Sequence, residues 1–146
     1  MAPIIATVDV DRPAAEVYAY ATDPTRFAEW QAGFVDGHLE GADAPRVGAK
    51  CVTVRRIGGL ARTVTSELDH VEPPKTWGVR GVDGPIRATV DVTVAPLAET
   101  KARLTIAVEF EGHGIGKVLV PLVVRRQAQK EMPANVANLK RRLESQ

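Results

Sequence analysis

Residues 86–108, IRATVDVTVAPLAETKARLTIAV, carry the strongest structural signal in this chain. Apolar and polar residues alternate through both halves, which predicts two β-strands that each bury one face. A loop centred on residues 97–99 would join them as a hairpin. In the register that this loop implies, Arg87 faces Glu109 on the polar side. The apolar side then pairs Val94, Val92, Val90 and Ala88 with Ala102, Leu104, Ile106 and Val108.

The alternating pattern extends over residues 33–111 and predicts six strands joined by tight turns. The Asp83-Gly84 pair favours a two-residue hairpin between two of them. That hairpin would set Trp77, Val79 and Gly81 opposite Val90, Ala88 and Ile86, so that the apolar face continues across it. Glycine, proline and aspartate mark the turns, at Gly48, Gly58-Gly59, Pro73-Pro74, Asp83-Gly84 and Pro96.

The segment before residue 33 predicts one strand followed by two short helices. Residues 4–11 alternate like a half-buried strand. Asp11 and Pro13 then mark the start of a helix over residues 14–21. Asp23-Pro24 marks a second helix, which places Phe27 and Trp30 on one face. Two helices in tandem therefore precede the six remaining strands.

After residue 116 the pattern becomes that of a helix that continues to the end of the chain. Because the apolar sheet face is the one partner large enough to cover this helix, the predicted fold class is α+β. We expect a helix-grip fold, with a curved seven-stranded antiparallel sheet around a long C-terminal helix and two short helices after strand 1. Pro133 is expected to bend the helix. Steps of three and four residues predict a core-facing stripe of Leu122, Arg125, Gln129, Met132, Val136, Leu139 and Leu143.

Length and composition bound the function. A chain of 146 residues is expected to form a single domain over residues 1–146. A formal charge of +1 gives no long-range field to attract nucleic acid or an anionic membrane, and the apolar runs are too short for membrane insertion. One cysteine and the absence of a signal-like start favour a cytoplasmic location. Whether the chain forms a homodimer stays open.

Four stretches of the sequence carry a family resemblance: RPAAEVYAY (residues 12–20), TDPTRFAEW (22–30), EPP (72–74) and LKRRLE (139–144). Together with the order of elements, they resemble the polyketide cyclase/dehydrase and lipid-transport group of the START-like (SRPBCC) superfamily, over nearly the whole chain. The resemblance implies a hydrophobic cavity between sheet and helix. Relatives use it for lipids, polyketides, plant hormones or co-chaperone contacts, and they include enzymes and pure binders.

The sequence itself also favours a cavity, because the inner sheet face is dominated by valine and alanine and aromatic residues make up only 5% of the chain. We therefore expect one START-like ligand-binding domain. Its expected ligand-binding residues are Trp30, Phe34, Val54, Arg62, Ser66, His70, Trp77, Val79, Val90, Leu122, Arg125, Gln129 and Met132.

Several of these residues have two interpretations. Arg125 and Gln129 either hold a ligand's polar end or lie in solvent where the helix overhangs the sheet. A three-residue loop at Gly58-Gly59 would put Arg56 beside Arg62 and Val54 on the inner face, whereas a two-residue loop would put Arg55 opposite Arg62. Either pair of like charges could attract an anion, although solvated arginines are the commoner arrangement.

Catalytic residues are not identified by the sequence. The three histidines, His38, His70 and His113, lack the spacing of a metal site, so no metal and no cofactor are expected. Cys51 lacks a group that would lower its pKa and is expected to be a buried thiol. His70 or Glu72 could serve as a general base, but nothing beyond their presence indicates it.

The leading hypothesis is therefore that the chain binds a small, mostly hydrophobic ligand such as a lipid or polyketide-like molecule, with transport of that ligand as an extension of the same hypothesis. A cyclase or dehydratase acting on a polyketide-like substrate is the first alternative, and whether the chain is an enzyme stays open. A protein-interaction or co-chaperone-like module is the second alternative. Its predicted outer sheet residues are too charged for a large apolar interface.

Overall fold

The structure is a computed structural model that describes residues 2–41, 44–57 and 59–146. Its centre is one antiparallel sheet in the order β1-β7-β6-β5-β4-β3-β2. This confirms the predicted α+β helix-grip fold with seven strands. The strands are β1 (Ile4–Val10), β2 (Phe34–Glu40), β3 (Lys50–Ile57), β4 (Leu60–Glu72), β5 (Thr76–Gly81), β6 (Ile86–Ala98) and β7 (Lys101–Gly112).

Two short helices follow β1, as predicted. The α-helix α1 (Ala14–Ala21) is followed by a 3₁₀ helix over Pro24–Glu29. The Asp23 carboxylate accepts a hydrogen bond from the backbone N–H of Thr25, so the second predicted cap is confirmed. The first is wrong: Pro13 occupies the cap position, and Asp11 donates its backbone N–H to Glu144 instead.

The C-terminal helix is a continuous run of 29 residues with a wider turn near its start. It consists of α2 (Gly116–Leu119), a π-helical segment (Val120–Val124) and α3 (Arg125–Glu144). In the π-helical segment the N–H of Arg125 donates to the carbonyl of Val120, five residues earlier. None of the described helices is both apolar enough and long enough to cross a membrane.

Both predicted hairpin registers are wrong by two residues. Val90 pairs with Val108 and with Val79, so each partner lies two positions from the expected one. The β6–β7 turn falls later than expected, with an irregularity between Pro96 and Ala98. The β5–β6 loop is longer than the predicted two residues and covers residues 82–85. In it, the backbone N–H of Val82 donates to the carbonyl of Thr65 in β4. Side chains alternate between the two faces of a strand, so a shift of two residues leaves each side chain on the predicted face.

Two hydrophobic clusters lie between the sheet and the C-terminal helix. The larger joins the inner faces of β1, β5, β6 and β7 with Met132, Val136, Leu139 and Leu143. The smaller consists of the buried residues Ile86, Val120 and Val124. The helix therefore rests on the sheet near both of its ends, and the region between the two supports holds the candidate site.

Candidate functional site

A cavity of ≈190 Å³ lies between the inner face of the sheet and the C-terminal helix. Valines and alanines supply much of its sheet wall, which agrees with the small inner side chains of the sequence. Phe110 and Ile86 lie at the side of the smaller cluster, and Trp30 and Trp77 lie at the side of the larger one. Short side chains on a curved sheet leave space that a straight helix does not fill.

Arg55, on β3, is a cationic residue of this largely apolar wall, to which its neighbour Arg56 also contributes. Its Nη1 donates to Oε1 of Gln31 at 3.2 Å, and its guanidinium carbon lies 4.9 Å from the centre of the Phe34 ring. Both contacts fix the guanidinium without neutralising it. None of the ion pairs between described residues includes Arg55.

The surroundings of Arg55 disfavour its charge. Burial lowers the pKa of Arg55 below its ordinary value, and the negative charge of Glu131 opposes this shift only in part. A guanidinium nonetheless stays protonated at neutral pH. A half-buried charge without an ion-pair partner is costly, so an anion or a ligand oxygen in the cavity would be stabilised there.

Arg62 lies directly across the strand pair from Arg55. The two are cross-strand partners, as are Cys51 with Ser66 and Thr53 with Val64. The register therefore has two residues between β3 and β4, the second of the two predicted alternatives; Gly58 itself lies outside the described residues. Partners in an antiparallel pair share a face, so two cations stand side by side on the inner face.

The uncharged polar groups of the sheet wall are Cys51, Thr53 and Ser66, all buried. Burial raises the pKa of the Cys51 thiol to about 11, and the nearby charge of Arg55 offsets this only partly. The thiol is therefore protonated at neutral pH and is a poor nucleophile. Its predicted burial is confirmed.

The helix contributes polar residues opposite Arg55. Nε2 of Gln127 donates to Oε1 of Glu131 at 3.2 Å and to the carbonyl of Arg56 at 3.4 Å. Oδ1 of Asn135 accepts from the backbone N–H of Ala32 at 2.9 Å. All three side chains line the cavity, so the helix wall is pinned to the sheet and to the loop before β2.

An aromatic cluster closes the side of the cavity near the 3₁₀ helix. The Phe27 ring makes edge-to-face contacts with Trp30, Phe34 and Trp77, with ring centres 6.0, 5.4 and 6.2 Å apart. Nε1 of Trp30 is buried and has no hydrogen-bond partner among the described residues. Trp30 lines the cavity, so a water or a ligand oxygen is a candidate acceptor for this donor.

Six of the thirteen residues expected from sequence lie in the cavity wall, and seven do not. Those in the wall are Trp30, Ser66, Trp77, Val79, Val90 and Met132. Phe34 lies behind Arg55, supporting its guanidinium. Those outside the wall are Phe34, Val54, Arg62, His70, Leu122, Arg125 and Gln129.

The misplaced sheet residues have geometric causes. Val54 pairs with Thr63 in the observed register and therefore lies on the opposite face from Arg55. A β-bulge between Leu68 and His70 reverses the side-chain alternation of β4, so His70 no longer shares a face with Ser66. On the outer face, His70 Nδ1 lies 2.7 Å from Asp69 Oδ1, and its Nε2 lies 3.6 Å from Asp91 Oδ1.

The misplaced helix residues follow from the π-helical segment. Its i→i+5 hydrogen bond widens the turn by one residue, so the inner face passes through Val120, Val124 and Ala128. Leu122 is accordingly 58% exposed, and Gln129 is exposed as well. The expected core-facing positions of Leu122, Arg125 and Gln129 are therefore wrong, and the solvated alternative describes Gln129.

The cavity residues that the sequence did not indicate include Arg55, Thr53, Gln127 and Glu131. Arg55 was detectable in principle, because it belongs to the two-residue loop register that was left open. Gln127 and Glu131 share a face only after the phase change of the helix, which the sequence pattern does not reveal.

Comparisons with known proteins agree on the fold. The family model described as "Polyketide cyclase / dehydrase and lipid transport" matches residues 1–144. No curated protein matches the chain in sequence.

Solved structures similar to the chain include the di-domain ARO/CYC BexL of the BE-7585A biosynthetic pathway, at 16% identity and a TM-score of 0.74. The match covers 99% of this chain and 47% of BexL, so the chain spans about half of that protein. The Zhui aromatase/cyclase from Streptomyces sp. R1128 is similar at 15% identity, with 97% and 94% of the two chains covered and a TM-score of 0.74.

A START superfamily protein from Mycobacterium smegmatis is similar at 13% identity, with 99% and 96% of the two chains covered and a TM-score of 0.73. At these identities the likeness shows the fold and leaves the chemistry to the residues of the cavity.

Proposed function

Because the chain belongs to the polyketide cyclase / dehydrase and lipid transport family, we propose that it binds a small, mostly hydrophobic ligand in the cavity between sheet and helix. In this proposal the whole chain acts as one ligand-binding domain. The observation that carries it is Arg55, a cation held by Gln31 and Phe34 in a wall whose other residues are mostly apolar.

The wall chemistry defines the ligand class. Valines, alanines and two tryptophans would surround an apolar body, while Arg55 would receive a carboxylate, a phenolate or a polarised carbonyl oxygen. Arg62 beside it adds positive charge at the same end. The ligand is therefore proposed to be an amphipathic acid or ketone with a single polar end.

The size of the cavity restricts the ligand further. A volume of ≈190 Å³ is below the roughly 300–1,000 Å³ typical of pockets for drug-sized molecules. A compact ring or a short chain fits this space, whereas a multi-ring polyketide would need the helix to move outward. Screening should therefore begin with aromatic and medium-chain carboxylic acids and proceed to larger polyketides and lipids.

The test compares an acid with the alcohol of the same skeleton. Isothermal titration should show that the acid binds to the wild type and that Arg55→Gln weakens it by roughly ten- to a hundredfold, the range of a charge-assisted hydrogen bond. The alcohol should bind the two proteins within about threefold of each other. Arg80→Gln, an exposed arginine on the outer face of β5, is the matched control and should change neither affinity.

Two results would reject the proposal. One is the absence of binding for every acid, ketone, lipid and polyketide tested by thermal shift and native mass spectrometry. The other is an acid affinity that Arg55→Gln leaves unchanged while circular dichroism shows that the variant is folded.

A cyclase- or dehydratase-type reaction is a second candidate, and one observation favours it. Arg55 and Glu131 belong to opposite walls of the same cavity, as an oxyanion-stabilising cation and a proton-accepting carboxylate would. Incubation with poly-β-ketone analogues and mass analysis of the product distinguishes the two candidates. Turnover that Glu131→Gln abolishes supports catalysis, whereas recovery of unchanged ligand supports binding alone.

A further inference from the structure

The first turns of the C-terminal helix carry an unusual group of exposed apolar side chains. Ile115, Val118 and Leu122 are 64, 56 and 58% exposed, and they lie within eight residues of one another. The other five large apolar residues that are exposed among those described are spread singly along the chain, at Ile5, Val35, Val47, Leu60 and Leu97. Single exposed apolar residues are ordinary, but a group of them needs an explanation.

The three side chains share one side of the helix. Ile115 is the residue before the helix, and it shares the solvent side with Val118 and Leu122, because all three side chains are exposed. The opposite face carries Val120 and Val124, which pack against Ile86 of the sheet. We call the exposed group, Ile115, Val118 and Leu122, the apolar face.

Positively charged residues accompany the apolar face along the sequence. Residues 112–130 contain Lys117, Arg125, Arg126 and Lys130 and no aspartate or glutamate. Lys117, Arg126 and Lys130 are exposed, and none of the four takes part in an ion pair between described residues. The chain as a whole has a formal charge of only +1, so this segment is far more basic than the average.

We propose that the apolar face docks peripherally on an anionic lipid bilayer. Its apolar side chains would enter the boundary between headgroups and acyl chains, and the four cations would contact the lipid phosphates. A second copy of the chain is a poorer occupant, because a twofold contact through this face would bring its cations against the same cations of the partner.

The apolar face lies close to the cavity, so docking would bring the bilayer near the proposed ligand. Val124 lines the cavity and belongs to the same short segment whose outer side carries the apolar face. A docked bilayer would therefore lie one helix diameter from the proposed ligand. This goes beyond the proposed function and does not depend on it, because docking requires no occupied cavity.

The experiment measures co-sedimentation of the full chain with vesicles in the absence of cavity ligands. The vesicles contain phosphatidylglycerol and phosphatidylcholine in equal amounts, or phosphatidylcholine alone. Binding is expected to the anionic vesicles and to fall steeply as salt is added. The double variant Lys117→Gln/Arg126→Gln should lower the partition coefficient by roughly thirtyfold, at about 1 kcal/mol for each charge removed.

A second pair of variants separates the apolar contribution from the charge. Val118→Asp/Leu122→Asp should abolish sedimentation, and because both side chains are exposed the variant should retain the melting temperature of the wild type. Leu97→Asp/Lys101→Gln, on the exposed β6–β7 hairpin, is the matched control and should sediment like the wild type.

Three results would overturn the docking proposal: no binding to anionic vesicles, equal binding by the Val118→Asp/Leu122→Asp variant, or a wild-type dimer that this variant converts to a monomer. Failure of the ligand screen with intact vesicle binding would reject only the proposed cavity function. Loss of vesicle binding with intact Arg55-dependent ligand binding would reject only the docking.

Discussion

Among single residues, Cys51 offers a test of how far the cavity wall is removed from water, because burial changes the pKa of its thiol. Burial raises the pKa of this thiol from its ordinary value of 9.0, which the unfolded chain retains, to about 11. The folded state therefore holds the proton more tightly. The stabilisation that results is fully present below the unfolded pKa and is lost as the pH rises toward the folded pKa.

We predict that the difference in unfolding free energy between the wild type and Cys51→Ala is constant up to about pH 8 and then changes. From there to about pH 11 the wild type should lose roughly 2 kcal/mol relative to the variant. Urea unfolding of both proteins at each pH measures this difference. Contributions from the other titrating groups, including the tyrosines, are the same in both proteins and cancel. A difference that does not vary with pH would show that Cys51 is not desolvated.

At the scale of single residues, the sequence predicts an apolar cavity wall with a few polar groups, but it does not assign every wall residue correctly. Trp77 and Val79 lie on the predicted face because alternation survives a register error of two residues, and Ser66 does so because it precedes the bulge in β4. His70 was misplaced because one extra residue in β4 reverses every later side chain. A single bulge carries little signal in the sequence pattern, so a residue beyond it cannot be assigned to a face from alternation alone.

At the scale of elements, the start of the C-terminal helix is fixed by contact between backbones. A Cβ on Gly116 would strike the carbonyl oxygen of Pro85, in the β5–β6 loop. The N–H of His113 donates to the same carbonyl at 2.8 Å. The helix can therefore begin next to this loop only with glycine at 116.

We predict that Gly116→Ala destabilises the protein by about 3 kcal/mol, the upper end of overpacking, because the opposing atoms are backbone and cannot rotate away. Gly114→Ala provides the comparison within the same turn. Gly114 has φ +58° and open space around it, so its alanine variant should cost only about 1 kcal/mol of backbone strain. Denaturant titrations measure the loss of unfolding free energy in each variant. A larger loss for Gly114→Ala than for Gly116→Ala would contradict this account of the helix start.

The helix also shows why an element can be predicted while its orientation is not. Met132, Val136, Leu139 and Leu143 face the core as their spacing indicates. The error begins N-terminal to them, where the π-helical segment changes the phase. Apolar residues occupy both sides of residues 115–124, so hydrophobic periodicity had no polar face there to set the rotation.

At the scale of the whole molecule, the two ends of the C-terminal helix are held unequally. At the C-terminal end, Oε2 of Glu144 accepts hydrogen bonds from the Asp11 backbone at 2.8 Å and from Lys140 at 2.6 Å. Arg12 donates to the carbonyls of Glu144 and Gln146. At the N-terminal end, beyond the backbone contact of Gly116 with Pro85, the helix is held by the smaller cluster of Ile86, Val120 and Val124. The cavity separates these two supports.

Hydrogen exchange should reveal this asymmetry, because local opening is easiest where few apolar contacts hold an element. We predict that amides of residues 117–125 exchange at least about tenfold faster than those of residues 132–143. A ligand that bridges the sheet wall and Val124 would oppose opening and slow exchange in the first segment selectively. Mass-spectrometric exchange with and without a bound acid measures both effects. Equal protection along the helix would mean that the smaller cluster holds the N-terminal end of the helix as firmly as the larger cluster holds the C-terminal end. A ligand would then have to enter the cavity without outward movement of the N-terminal end.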